Sequence, residues 1–152
     1  MKIAIAADHA GYTLKEDLLR YLDEQGHEVT DLGTASAEQP VDYPDFAQAA
    51  ALAVVRREAE RAIVVCGSGV GASIAANKVQ GAYAALCHDT YSAHQGVEHD
   101  DMNILCLGSR VIGPMLAREL VNAFLAARFD ANEPRHVRRL QKLRAIEQAQ
   151  MK

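Results

Sequence analysis

The chain has 152 residues, a formal net charge of −4 at pH 7, and 49% hydrophobic residues. This length predicts one domain with a substantial buried core, and the acidic balance argues against a nucleic-acid partner. No apolar run approaches the roughly 20 residues of a membrane-spanning helix. Met1 leads directly into a strand pattern without the features of a signal peptide, so we expect a cytoplasmic protein with no membrane partner.

Apolar runs alternate with amphipathic segments along the whole chain. The runs predict five strands, at residues 3–7, 28–32, 62–66, 82–86 and 103–107. The other segments predict six helices, one ending near Gly26 and the rest at about 44–57, 72–78, 90–97, from 113–114 onward, and 134–149. Repeated βα units predict an α/β fold, a three-layer α/β/α Rossmann-like sandwich with a five-stranded parallel sheet, in a single domain over 1–152.

The last two predicted helices differ in their apolar faces. The helix after Pro114 is predicted to bury Leu116, Leu120, Val121, Phe124 and Leu125. The final helix has a thinner stripe, made of Val137, Leu140, Leu143 and Ile146, beside a basic cluster over 135–144. Such a cluster is usually a solvated helix face, and an anion site is the alternative. Because the thin stripe needs a partner, we expect this helix to reach a second subunit.

The segment 66–71 reads Cys-Gly-Ser-Gly-Val-Gly and joins the third predicted strand to a helix. Its glycines let the backbone approach a ligand, and amide N–H groups at such a turn favour an anion. The loop has neither the Gly-Lys-Ser/Thr ending of a P-loop nor the Gly-x-Gly-x-x-Gly spacing of a dinucleotide site. A tight turn is the plain alternative, but Cys66 at its start predicts a nucleophile or a general base.

The remaining cysteines and histidines give no disulfide or metal pattern. Cys87 and Cys106 fall in or beside apolar runs and are predicted to be small buried hydrophobic residues. The cysteine count is three, with no Cys-x-x-Cys pair, so neither a zinc site nor a disulfide framework is indicated. His94 and His99 match no metal-binding spacing, and we predict no metal. His99 is either a proton-transfer group or part of a solvated helix-to-strand turn.

Polar residues follow the ends of two predicted strands. Asp8 and His9 follow the first strand, and Cys66 ends the third, so all three are expected to face one crevice beyond the sheet. Each also has a purely structural alternative: Asp8 and His9 as a capping pair, Tyr43 as the anchor of a long polar loop, and Arg110 as the partner of a nearby carboxylate.

Several segments occur together in a fixed order: 7–11 (Ala-Asp-His-Ala-Gly), 31–34 (Asp-Leu-Gly-Thr), 41–44 (Val-Asp-Tyr-Pro), 66–71, 73–78 (Ser-Ile-Ala-Ala-Asn-Lys), 98–103 (Glu-His-Asp-Asp-Met-Asn) and 108–110 (Gly-Ser-Arg). The tail adds Arg135, His136 and Arg139. Together they resemble the type B ribose-5-phosphate isomerases of the ribose/galactose-6-phosphate isomerase family, from Met1 to about residue 147. Separate motifs in the right order are far more specific than any one of them.

The resemblance implies an aldose–ketose isomerase that interconverts ribose 5-phosphate and ribulose 5-phosphate through an enediolate, without metal or cofactor. It implies that Cys66 is the base that moves the proton between C2 and C1. Ser68, at a position that is often Thr, is implied to move protons between O1 and O2. His99 is implied to assist opening of the sugar ring.

The resemblance also implies the binding residues. Backbone amides of a loop with Gly67, Gly69 and Gly71 are implied to hold the anionic intermediate. Asp8 and Tyr43 are implied to contact sugar hydroxyls and the ring oxygen. The implied phosphate contacts, some supplied by a neighbouring subunit, are His9, Arg110, Arg135 and Arg139. A homodimer with shared active sites, or a tetramer built from it, is therefore expected.

Asp100 departs from the family pattern, which has Asn after the catalytic histidine. An Asn amide donates a hydrogen bond to an anionic intermediate, whereas an ionised Asp does not. This motivates two alternatives: an isomerase of a tetrose or hexose phosphate, and a phosphosugar-binding module without catalysis. The presence of Cys66, Ser68 and His99 argues against the second alternative.

Overall fold

The computed structural model describes residues 1–150, which form a single five-stranded sheet and six helices. In chain order the elements are β1 (Lys2–Ala7), α1 (Tyr12–Glu24), β2 (Glu28–Asp31), α2 (Tyr43–Val55), β3 (Arg61–Cys66), α3 (Val70–Ala76), β4 (Ala84–Leu86), α4 (Thr90–Asp100), β5 (Ile104–Gly108), α5 (Pro114–Ala126) and α6 (Pro134–Gln150). Within that described part, no helix has the length and apolarity to cross a membrane.

All strand pairs are parallel, and the strand order is β2-β1-β3-β5-β4. The register places Ala7 of β1 opposite Val65 of β3, and Cys66 opposite Gly108 of β5. The carboxyl ends of the three central strands therefore meet at one edge of the sheet. The chain leaves β1 toward β2 on one side and continues with β3 on the other, which opens the crevice where such sheets bind ligands.

Helices cover both faces of the sheet, and each face has its own apolar core. Alternate strand residues point to opposite faces, so Ile63 and Val65 join one core while Val64 and Cys66 join the other. The first core is closed by α1, α4 and α5, and the second by α2 and α3. The predicted three-layer α/β/α sandwich with a five-stranded parallel sheet is confirmed.

β4 is shorter than predicted and begins at Ala84 rather than at residue 82. The backbone around its start is held by side chains as well as by backbone hydrogen bonds to the Tyr83 carbonyl. The N–H of Tyr83 donates to Asn103 Oδ1 at 2.8 Å, and the N–H of Ala84 donates to Asn77 Oδ1 at 2.8 Å. Apolar residues alone could not indicate this, because the pairing partners are two asparagine side chains.

α4 is longer than predicted and ends at Asp100 rather than at residue 97. The apolar periodicity stops at Val97, but the polar residues after it complete another helical turn. The helix ends at Asp101, which takes a left-handed conformation with φ 56°. His99 and Asp100 therefore lie in the last turn of a helix, and the alternative that placed them in a helix-to-strand turn is wrong.

The predicted apolar faces of the last two helices are correct only in part. Leu116 is 37% exposed, because the buried face of α5 is formed by Ala117, Leu120, Val121, Phe124 and Leu125. On α6, which packs against α4, Leu140 is buried whereas Leu143 and Ile146 are 44% and 64% exposed. The idea that α6 lies on a second subunit stays a prediction.

Candidate active site

A cavity of about 360 Å³ lies beyond the carboxyl ends of β1 and β3. It is lined by Asp8, His9, Ala10, Tyr43, Cys66, Gly67, Ser68, Gly71, Arg110 and Val111. As expected, the residues after β1 lie beside those at the end of β3, because neighbouring parallel strands end at the same edge of the sheet. Ala10, from the segment 7–11, also lines this cavity, as does Val111, which no sequence signal singled out.

Cys66 is the last residue of β3, and its Sγ atom accepts a hydrogen bond from the N–H of Gly69 at 3.1 Å. The side chain is only 4% exposed, yet it forms part of the cavity wall. Gly69 has a φ of 83°, and a Cβ atom there would lie 2.6 Å from Leu86 Cδ1 and 3.0 Å from the Leu107 carbonyl carbon. A glycine is needed here for the loop to aim this N–H at the sulfur.

The loop after Cys66 continues beneath Tyr43. A Cβ atom on Gly71 would lie 2.5 Å from the ring of Tyr43, so only a glycine allows this close approach. Ser68 is exposed, and its Oγ atom accepts the N–H of Val70 at 3.2 Å. This bond uses a lone pair of the oxygen and leaves the hydroxyl hydrogen available to a ligand.

Asp8 and His9 form the wall on the β1 side. Asp8 is buried, and its Oδ1 atom accepts the N–H of Gly11 at 3.0 Å, which leaves its other oxygen for a ligand. His9 Nδ1 accepts the N–H of Val41 at 3.1 Å. A neutral His9 ring that accepts at Nδ1 carries its proton on Nε2, as a hydrogen-bond donor.

Arg110 lies over the start of the glycine loop. Its backbone N–H donates to the Gly67 carbonyl at 3.0 Å, and a Cβ atom on Gly67 would lie 3.2 Å from its Nη1 atom. Arg110 takes part in none of the ion pairs formed within residues 1–150, so the carboxylate partner required by the structural alternative is not found there. An exposed guanidinium without a carboxylate partner fits an anionic ligand.

Five predicted site residues lie outside this cavity: Gly69, His99, Asp100, Arg135 and Arg139. Asp100 lines a separate cavity of about 240 Å³ together with Asn77, Tyr83, Met102 and Leu143 among others. Both arginines are exposed on α6. Gly69 contributes its N–H to Cys66 instead.

His99 has polar and aromatic neighbours that sequence reasoning missed. Gln95 Nε2 lies 2.9 Å from His99 Nδ1, and Glu98 Oε1 lies 3.5 Å from His99 Nε2. The ring of His136 stacks on the ring of His99 with centroids 4.0 Å apart. The i, i+4 spacing of Gln95 and His99 would have indicated their contact if the predicted helix had continued past residue 97.

The other two cysteines differ from Cys66 in their surroundings. Both are buried, as predicted. Burial, with a smaller effect from the Asp89 charge, raises the pKa of Cys87 to about 11. Burial also raises the pKa of Cys106, with smaller effects from Cys66 and Cys87. Both groups are therefore neutral thiols at physiological pH, which suits small core residues.

Residues 1–150 contain no group of three or more His, Cys, Asp or Glu side chains placed to hold a metal ion. The edge of the sheet also holds His88, whose Nε2 accepts the N–H of Gly108 at 3.0 Å. Burial lowers the pKa of His88, so its neutral form prevails at neutral pH. Its hydrogen bond to the end of β5 gives this histidine a structural role beside the cavity.

A family model described as Ribose/Galactose Isomerase matches residues 3–143. The chain belongs to the ribose/galactose isomerase family. The resemblance predicted from the motifs is thus confirmed. Ribose-5-phosphate isomerase B of Escherichia coli (strain K12) is 46% identical over 147 residues, which is 97% of each chain. D-erythrulose-4-phosphate isomerase 2 of Mycolicibacterium smegmatis is 43% identical over 132 residues, 86% of this chain and 87% of the relative.

Solved structures of the ribose/galactose isomerase family agree with the fold described above. The ribose-5-phosphate isomerase B of Clostridium thermocellum has a TM-score of 0.93 and 48% identity, and the match covers 98% of this chain and 99% of that one. The enzyme of Mycoplasma genitalium, solved with bound ribulose-5-phosphate, has a TM-score of 0.90 and 38% identity over 97% and 96% of the two chains. The chain is therefore a sugar-phosphate isomerase, as predicted.

Proposed function

We propose that this isomerase interconverts ribose 5-phosphate and ribulose 5-phosphate through an enediolate, with Cys66 as the base. The observation that supports this most directly is the position of the Cys66 sulfur, which belongs to the wall of the cavity at the sheet edge and accepts a loop N–H. Full-length similarity to ribose-5-phosphate isomerases B supports the choice of substrate. We assign the whole of 1–152 to this one isomerase domain, without metal or cofactor, and a cytoplasmic location stays a prediction.

Proton transfer begins at the open-chain aldose phosphate. The Cys66 thiolate removes the proton from C2, and the electron pair moves through the C1 carbonyl and leaves negative charge on O1. The hydroxyl of Ser68 gives a proton to O1 and takes one from O2. Cys66 then returns its proton to C1, which forms the ketose. N–H groups of the Gly67–Gly71 loop stabilise the developing charge, and each such donor contributes about 10²–10³ in rate.

Binding groups hold the substrate in register with that sulfur. The free oxygen of Asp8 and the phenol of Tyr43 accept and donate to the sugar hydroxyls. His9 and Arg110 lie at the cavity wall and attract the phosphate. We assign the remaining phosphate contacts to Arg135 and Arg139, whose exposed side chains lie four residues apart on α6.

We also propose that the active form is a homodimer with shared sites, or a tetramer built from such dimers. His99 and the two α6 arginines do not line the cavity of their own chain, so a second copy would have to supply them. The exposed Leu143 and Ile146 of α6 give an apolar surface for that contact. The role of His99 in ring opening is part of this proposal.

The Cys66→Ala variant tests the base. We expect wild-type protein, treated with a chelator, to convert ribose 5-phosphate to ribulose 5-phosphate. Cys66→Ala should lower kcat by at least about 10³-fold with an unchanged melting temperature, because it removes the only group proposed to move the carbon-bound proton. Cys87→Ala is the matched control, since that thiol is buried outside the cavity, and it should keep wild-type kcat. Substantial turnover by Cys66→Ala would refute the assignment.

A substrate panel tests the choice of sugar. Because two curated relatives are named D-erythrulose-4-phosphate isomerases, the panel should contain tetrose, pentose and hexose phosphates. We expect kcat/KM for ribose 5-phosphate to exceed the others by at least about tenfold, which corresponds to about 1.4 kcal/mol of transition-state binding. A tetrose or hexose phosphate with the higher kcat/KM would replace the proposed substrate, and Asp100→Asn would then show whether Asp100 sets the preference.

A further inference from the structure

His136 is the buried residue on an otherwise basic face of α6. It is 3% exposed, and neither of its ring nitrogens has a hydrogen-bond partner within residues 1–150. Arg135 and Arg139 on the same helix are exposed. An enclosed polar group without a partner costs about 1–3 kcal/mol, so an apolar residue would serve the fold at least as well. A hydrogen bond of its own therefore does not explain His136, and its role has to come from what its ring contacts.

Because its nitrogens are enclosed, His136 does not bind the phosphate group of a substrate. Both atoms are already shielded from solvent by their own chain, so a phosphate group cannot reach them in this arrangement. The nearest carboxylate, Asp130 Oδ2, lies 4.0 Å from Nδ1, which is beyond hydrogen-bond distance. The one specific contact that His136 makes is through its ring face.

That face packs on His99. The two ring centroids are 4.0 Å apart and the planes are inclined by 28°, which is a stacked arrangement. His99 itself is partly exposed, with 30% of its side chain accessible. His136 thus provides a buried stacking partner for a ring that is itself partly accessible to a ligand.

The edge of the His99 ring is held as well. Gln95 Nε2 lies 2.9 Å from Nδ1, and an amide nitrogen donates, so Nδ1 accepts and the neutral ring carries its proton on Nε2. His136 therefore fixes the plane of the ring and Gln95 fixes its rotation and tautomer. Nε2–H, which within residues 1–150 has only the long 3.5 Å contact to Glu98 Oε1, can donate to a ligand.

We propose that His136 is a positioning residue, which holds the His99 ring in the orientation that donates a hydrogen bond to the ring oxygen of a cyclic sugar phosphate. This inference rests on the proposed function. In the step concerned, Nε2–H of His99 donates a hydrogen bond to the ring oxygen, which takes a proton from water as the bond from that oxygen to C1 breaks. The C1 hydroxyl gives its proton to water as the aldehyde forms, so His99 stays neutral throughout.

The chemistry of the two sugars separates this step from the Cys66 step. Ribose 5-phosphate closes into a furanose through its free C4 oxygen, so it must open before it reacts. Ribulose 5-phosphate forms no such ring, because its C5 oxygen is esterified. Exchange of the C1 hydrogen of ribulose 5-phosphate in D₂O therefore requires the Cys66 step and no ring opening, whereas net conversion of ribose 5-phosphate requires both.

The test compares His136→Leu with His136→Phe. Leu removes the aromatic platform, and Phe keeps it without the two nitrogens. For His136→Leu we expect kcat with ribose 5-phosphate to fall about ten- to a hundredfold with little change in KM, since loss of orientation has an effect of this size. Exchange into ribulose 5-phosphate should stay within about twofold of wild type. His136→Phe should restore most of the lost conversion.

His27→Leu is the matched control, because His27 also has a buried nitrogen without a partner and lies outside both cavities that contain site residues. It should leave conversion and exchange unchanged. The inference is overturned if His136→Leu loses conversion and exchange together, if it loses neither, or if His136→Phe fails to restore a loss seen in a folded His136→Leu. Absence of any turnover by the wild type would instead overturn the proposed function, and this inference with it.

Discussion

Gly71 and Tyr43 are in such close contact that any side chain at residue 71 would displace the Tyr43 ring. Only the missing side chain of Gly71 lets the Tyr43 ring lie over the loop and line the cavity. Tyr43 is 41% exposed, so its ring has room to turn outward if it is displaced. A methyl group at residue 71 should therefore change ligand contacts more than it changes stability.

The Gly71→Ala variant should lower kcat/KM about tenfold, because the displaced phenol no longer meets the sugar hydroxyls and one such hydrogen bond contributes about 1–1.5 kcal/mol. Steady-state kinetics with ribose 5-phosphate and a thermal melt measure the two effects. Gly113→Ala is the control, since a Cβ atom there meets nothing within 4 Å, and it should behave as wild type. An unchanged kcat/KM for Gly71→Ala would show that Tyr43 does not contact the sugar.

The sequence located most residues of the cavity but not the neighbours of His99. Residues that follow β1 and β3 could be placed together because parallel neighbours end at one edge. The stacking of His136 on His99 joins α4 to α6, and no local pattern specifies how these two helices pack. Site residues brought together by strand order were therefore predictable, and those brought together by helix packing were not.

At the scale of elements, Lys15 joins α1 to β2 through an ion pair that apolar periodicity did not indicate. Its side chain is fully buried, and Nζ lies 2.9 Å from Asp31 Oδ1 and 2.9 Å from Glu16 Oε1. Burial alone would lower the pKa of Lys15, but the hydrogen bonds from Asp31 and Glu16 outweigh it and raise the pKa above 10.5. The ammonium therefore favours the folded state.

Lys15→Met should keep the packing volume and remove the charge. We expect the free energy of unfolding to fall by about 1–3 kcal/mol at neutral pH, because two carboxylates lose a charged donor. The raised pKa means that this stabilisation is complete below 10.5 and is lost as pH rises through the higher folded value. Urea unfolding of wild type and variant should therefore converge above pH 10.5.

Lys142→Met is the control for that comparison, since Lys142 is exposed and takes part in no ion pair within residues 1–150. It should change the free energy of unfolding by less than about 0.5 kcal/mol. A difference between wild type and Lys15→Met that stays constant above pH 10.5 would contradict the role given to the charge.

For the whole molecule, the fold was predictable because the apolar pattern of the strands and that of the helices indicate the same architecture. Continuous apolar strands require cover on both faces, and the intervening amphipathic helices provide it. Several element boundaries differ by one to three residues, such as α3, which is Val70–Ala76 rather than 72–78. Those of β4 and α4 are set by polar contacts such as Asn103 to Tyr83 or by the left-handed Asp101. The surface of α6 is the part that a single chain leaves unexplained, because two of its apolar residues, Leu143 and Ile146, are exposed.

A dimer with shared sites predicts the activity of a heterodimer that combines two different inactive variants. Cys66→Ala removes the base from one chain, and His99→Asn removes the ring-opening group from the other. If each site takes Cys66 from one subunit and His99 from its neighbour, a heterodimer of the two variants has one intact site and one site that lacks both groups. Heterodimers purified through two different affinity tags should then show about half of the wild-type kcat per dimer.

The two variant homodimers are the controls for this experiment. They have only damaged sites, so both should be strongly impaired. If Cys66 and His99 instead served the same site within one chain, the heterodimer would have two damaged sites and no recovery would occur. A heterodimer with no more activity than the homodimers would therefore refute the shared site while leaving Cys66 as the base. Light scattering on the same samples would distinguish a failure of sharing from a failure to form dimers.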